Sequence, residues 1–109
     1  MGHKPFDNAT TLARRLGELG AEKVILFGSL ADSSRRVGPD SDVDMVVIMP
    51  GVENQRFHKR LGSLPEVVDF PHPIDLFVYS PNEWERISAR SFIQYEVLSK
   101  GMALFERGG

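Results

Sequence analysis

Apolar positions along the chain fall into three short continuous runs, with helically spaced positions before and between them. Val24–Phe27 is apolar throughout, Val43–Met49 is apolar but for one aspartate, and residues 73–80, PIDLFVYS, form a third run around another. Runs this short, bounded by Gly, Pro and Asp, read as buried strands. Upstream, Leu12, Leu16 and Leu19 share one face of a helix that Asp7 or Thr10 can cap and Gly20 stops. Residues 1–6 then read as a loose tail. Residues 52–64 place Phe57, Leu61 and Leu64 at helical spacing, with His58, Lys59 and Arg60 as a solvated face. Pro65, Pro71 and Pro73 demand loop or edge strand between them. Ser80-Pro81-Asn82-Glu83 is a helix start with serine at the cap, proline at the first position and glutamate three after the serine. The helix it opens carries Trp84, Ile87 and Ser91 on one stripe, breaks near residues 89–91 and ends before Gly101. That spacing assigns Trp84 to the core rather than to a base-stacking platform. Residues 103–106 read as a last short strand and 107–109 as a frayed end. The pattern predicts an α+β protein, a small mixed β-sheet of four or five strands flanked by helices, mainly on one side.

The polar residues inside the apolar runs change this picture. Asp42 and Asp44 open the second strand, two residues apart, so they face the same way at about 6.5–7 Å spacing. Aspartate is a poor strand former, and two like charges side by side add to the cost. A divalent cation removes the conflict, since Mg²⁺ prefers carboxylate oxygens and sits with substrate phosphates. Asp75 repeats the setting in the third run. Asp69 competes with it, but Pro71 follows closely, whereas Asp75 has the longer strand around it. Strand-borne aspartates in this number suit a two-metal phosphoryl-transfer site. Gly28-Ser29, where the first strand ends, supplies a small-residue turn whose backbone N–H groups can meet a phosphate. His58 is no ligand in such a set, because these carboxylates select a hard cation. His72, between two prolines, reads as a loop residue.

A Gly-Ser at a strand end, an Asp-x-Asp on the next strand and a third Asp on a later one resemble the DNA polymerase beta-type nucleotidyltransferase superfamily. With a chain of 109 residues, the likeness is to its minimal nucleotidyltransferase branch, and it runs from about Val24 to Phe105. The resemblance implies a polymerase beta-like fold and a Mg²⁺-dependent transfer of AMP from ATP to a hydroxyl. Asp42, Asp44 and Asp75 would be the catalytic residues and hold two metal ions, Mg²⁺ or Mn²⁺. Gly28 and Ser29 would orient the phosphates. The commoner pattern places a basic residue soon after Gly-Ser, where this chain has Leu30-Ala31-Asp32. Arg35 or Arg36 would then supply the positive charge, or else both are simply solvated. The resemblance further implies a HEPN-type helical partner protein, silenced by adenylylation of one of its tyrosines, with this chain as antitoxin. Two alternatives stand beside this: a fragment of an antibiotic nucleotidyltransferase, and a catalytically weak or inactive module that sequesters a helical partner.

Composition narrows the classes. One core and one domain fit 109 residues. Hydrophobic content of 41% and charged content of 26% are ordinary for a globular chain. The absence of cysteine excludes disulfides and thiolate zinc sites. A net charge of −2 argues against a nucleic-acid grip, though not against a local basic patch over a triphosphate. No apolar run reaches membrane-spanning length, and the N-terminus lacks a signal-peptide core, so a cytoplasmic protein is expected. Exposed apolar surface would seat the partner or a second copy.

Overall fold

The computed structural model describes residues 5–31 and 42–108. Strands β1 (Lys23–Phe27), β2 (Val43–Ile48), β3 (Ile74–Tyr79) and β4 (Met102–Glu106) form a mixed sheet in the order β3-β2-β1-β4. β1 runs antiparallel to β2 and β4, whereas β2 and β3 are parallel. Helices α1 (Pro5–Glu18), α2 (Pro65–Val68) and α3 (Pro81–Ile87) and a π-helical segment, Ile93–Ser99, complete the architecture.

Because the central strands are apolar at nearly every position, both sheet faces must be covered. On one face, Ala9, Leu12, Ala13 and Leu16 of α1 pack on Val24, Leu26, Val43, Met45 and Val47. On the other, Ile93 and Val97 of the π-helical segment close over Ile25, Val46 and Ile48, with Trp84 and Ile87 of α3 alongside. Burying each large aliphatic side chain fully contributes about 1.5–3 kcal/mol. Helices therefore cover both faces, not mainly one. Trp84 is a packing residue, with its ring 5.8 Å from that of Tyr79.

Local signals decide most boundaries. The Ser80 hydroxyl accepts from the Glu83 amide at 3.2 Å, and the Glu83 carboxylate accepts from the Ser80 amide at 2.9 Å, so the capping box forms as read. α1 starts at Pro5, which takes proline's favoured early position, so Pro5 and Phe6 are not tail. Arg107 is not frayed, because its amide bonds the Glu22 carbonyl at 2.9 Å and its guanidinium bonds the Ala21 carbonyl.

The helix expected over 52–64 is absent; the segment holds only a 3-10 turn at Phe57–Lys59. Arg60 explains the difference. It turns inward, is 7% exposed, and donates to the Val78 carbonyl at 3.0 Å and to Glu83 Oε1 at 2.6 Å. Leu61 follows in the left-handed region, φ 62°, which no α-helix accommodates. Residues 65–68, expected as loop or edge strand, make the short α2 because Pro65 sits at a helix start.

Candidate active site

The pairing register brings Asp44 and Asp75 together. They are direct Cα partners on parallel neighbours, so they share a sheet face. Their side chains come within hydrogen-bonding reach of each other. Burial pushes the Asp44 carboxyl above the usual carboxylate range, and the charges of Asp75 and Asp42 and that contact push it the same way. Asp42 lies just ahead of β2 and is exposed. It acts on Asp44 through its charge. Among the described residues, no three His, Cys, Asp or Glu side chains meet as a ready-made metal cluster. The contact is a pair, with Asp42 as a nearby third charge. The donor set nonetheless suits a hard divalent cation: carboxylate oxygens only, from a half-buried Asp44 and an exposed Asp75 side by side.

Gly28 completes the corner. It follows β1, whose Phe27 is the partner of Asp44, and adopts φ 77°. A Cβ at this position would collide with the Asp44 carboxylate oxygen Oδ2. Glycine is therefore required twice, for the backbone angle and for the close approach. Ser29, half-exposed, lies in the 3-10 turn Gly28–Leu30 that this geometry starts. Arg35 and Arg36, the candidate phosphate contacts, lie outside the described residues, as does Asp32.

Asp69 is exposed at the C-terminal end of α2, in a groove against α1 with Asn8 and Arg15, away from the acidic pair. His72 is part-buried, with Nε2 2.8 Å from Asn8 Nδ2. His58 is exposed, as its place on a solvated face predicts, and it lines a groove of about 340 Å³ with Asp75, Phe57, Gly62 and Leu76. No signal in the linear sequence joins His58 to Asp75; the Arg60 turn brings them to one groove. On the acidic face itself, an apolar cavity of about 200 Å³ lies next to the pair, between Phe27, Val46, Phe77 and Phe92. A larger cavity, about 490 Å³, sits at the opposite strand ends among Glu22, Lys23, Trp84 and Arg107. None of Gly28, Asp42, Asp44 or Asp75 lines it, so the chemistry and not the volume locates the site.

Residues 10–102 match the family model for the nucleotidyltransferase domain. No curated protein matches the chain. Among solved structures, a Sulfolobus solfataricus protein, provisionally named a nucleotidyltransferase and determined at 1.40 Å, aligns with a TM-score of 0.58. The alignment covers 92% of this chain and 78% of that one at 19% identity, a level that speaks to the fold alone.

Proposed function

Since the chain belongs to the nucleotidyltransferase domain family, we propose that it transfers AMP from ATP to a hydroxyl acceptor at the corner formed by Gly28, Asp44 and Asp75. The observation that carries this reading is the in-register acidic pair, held together beside a positive-φ glycine whose backbone comes close to the Asp44 carboxylate. Such a pair is unfavourable for folding alone and is explained by what it binds. Asp42, Asp44 and Asp75 would hold divalent ions, Mg²⁺ or Mn²⁺. Bound there, such ions neutralise triphosphate charge and acidify the acceptor hydroxyl.

The chain's own contribution is placement and charge. The Gly28–Ser29 turn brings backbone against the carboxylates, so phosphate oxygens can be oriented there. Asp75, more exposed than Asp44, would take the acceptor's proton as its oxygen attacks the α-phosphorus and pyrophosphate leaves. Exposed Phe92, Tyr95, Leu98 and Met102 offer apolar surface for a protein partner. The acceptor we favour is a tyrosine on a HEPN-type helical partner, which the transfer would silence, giving this chain an antitoxin role. Co-expression with such a partner, followed by intact mass, tests this. Increments of one AMP that vanish with Asp44→Asn support it, and an unmodified partner refutes the acceptor. Calorimetry of ATP with and without Mg²⁺ tests the transferase reading itself; absence of Mg²⁺-dependent binding would leave the sequestering module in its place.

A further inference from the structure

Strand β3 is an edge of the sheet, and its outer row of peptide groups is half open. The carbonyls of Pro73 and Tyr79 accept from Val43 and Met49 on the β2 side, at 2.8 Å each. By alternation, the peptide groups of Ile74, Leu76 and Val78 face outward. Among the described residues, the side chain that bonds this outward row is Arg60, at the Val78 carbonyl. Around Ile74 and Leu76 the row opens into the groove of about 340 Å³ walled by Phe57, His58, Gly62 and Val67. The wall is firmly built, because Arg60 is buried and also bonds the Gln55 carbonyl and Glu83.

We infer that this groove is the acceptor channel, and that it takes an extended polypeptide segment which pairs with β3 and carries the acceptor hydroxyl to Asp75. The inference rests on the transferase reading above and names the form in which the acceptor arrives. An added strand would bond to the outward groups of Ile74 and Leu76. The residue facing Asp75, between them, then occupies a non-hydrogen-bonded position on the same sheet face. Facing Cβ atoms at such positions approach to about 4.5–5.5 Å. A Ser, Thr or Tyr there presents its hydroxyl to the carboxylate pair with no rearrangement of β3. Its oxygen bonds to the α-phosphorus of ATP, the bond to pyrophosphate breaks, and the hydroxyl proton passes to Asp75 and then to solvent. The Arg60 contact at Val78 caps the strip, so only a short segment fits, which suits an exposed loop or a chain end. The wall's Phe57 and Val67 side chains select an apolar neighbour in that segment.

The test uses ATP labelled at the α-phosphate, Mg²⁺ and the whole chain. The acceptors are dephosphorylated casein as an unfolded polypeptide, a folded helical-bundle protein, and N-acetyl-tyrosinamide, matched in hydroxyl concentration. Two or three edge hydrogen bonds of ordinary net strength predict casein labelling about tenfold above the other two. Gly62→Trp fills the groove, and the nearest atom to an added Cβ there is the Lys59 carbonyl oxygen at 3.6 Å, so the backbone tolerates it. This variant should bring casein labelling down to the level of N-acetyl-tyrosinamide while Mg²⁺-dependent ATP binding, read by calorimetry, persists. Equal labelling of all acceptors, preference for the helical bundle, or an unaffected Gly62→Trp overturns the inference. An independent reading needs no variant: the Leu76 amide should exchange fast in the free protein and slow down with casein, and unchanged exchange overturns the proposal. ATP and Mg²⁺ binding without casein labelling sinks this inference alone, whereas loss of Mg²⁺-dependent ATP binding sinks the transferase reading beneath it.

Discussion

Replacing Asp44 by Asn should make the metal-free protein more stable while it abolishes transfer. Asp44 and Asp75 are register partners on adjacent strands, and such strands lie about 4.8 Å apart. Two unit charges at that separation repel by about 3.5 kcal/mol at an effective dielectric of about 20, and by about 0.9 kcal/mol in water. Asp44 is half-buried and Asp75 exposed, so the gain from Asp44→Asn lies between these limits, at about 1–3 kcal/mol. For a domain of this size that corresponds to a Tm increase of about 4–12 °C. The pH dependence gives the signature. The folded Asp44 carboxyl is held above its ordinary value of 3.8. The native state then keeps a proton that the unfolded chain releases, so wild-type stability falls as pH rises from 3.8 through the raised folded value. Asp44→Asn lacks that fall. Thermal unfolding in EDTA should therefore show the two proteins converging in acid and separating toward about pH 8. Added Mg²⁺ should raise the wild-type Tm and leave the variant unmoved. A variant no more stable than wild type in EDTA at the alkaline end would refute the reasoning, since the two carboxylates would then not be in conflict.

Three further outcomes follow from other parts of the molecule. Arg60→Ala strands the Glu83 carboxylate and the Val78 carbonyl and should cost about 3–5 kcal/mol, read by urea denaturation near neutral pH. The Arg60 guanidinium, with the Ser80 amide, holds the Glu83 carboxyl down at about 2 against an ordinary 4.5. Its contribution is thus complete above 4.5 and lost as pH falls toward 2, and Glu83→Gln should flatten stability against pH in that window; an unaltered profile would show that the pair does not form. Gly28→Ala should cost about 1–3 kcal/mol through its positive φ and remove Mg²⁺-dependent ATP binding through the clash with Asp44, and a variant with native Tm and native binding would contradict the corner geometry.

The strands and the acidic corner were legible because their signals are local or periodic. β1, β2 and β3 are short apolar runs, and the longer strand around Asp75, with the family resemblance, favoured it over Asp69; that it lies directly opposite Asp44 is seen only in the strand register. The capping box at Ser80 was equally readable, since all its partners lie within one turn. What failed was long-range. Arg60 looked like one of three solvated charges, and only the distant Val78 carbonyl and Glu83 draw it inside and break the helical spacing of Phe57, Leu61 and Leu64. The helices on the second face could not be assigned, because Ile25, Val46 and Ile48 state that a cover exists but not which segment provides it. No local pattern distinguishes the π-helical turn of Ile93–Ser99 from an α-helix.

The parallel junction of β2 and β3 gives Arg60 an influence over chemistry it never touches. A slide of β3 by two residues would preserve its inside-outside pattern, yet it would carry Asp75 a full repeat away from Asp44. The alternation of apolar and polar positions does not by itself forbid such an error. The guanidinium that pins Val78 to the start of α3 does, because its bonds admit only one offset. It works as a pawl at the far end of the strand, and the alignment of the carboxylates is the tooth it keeps in place.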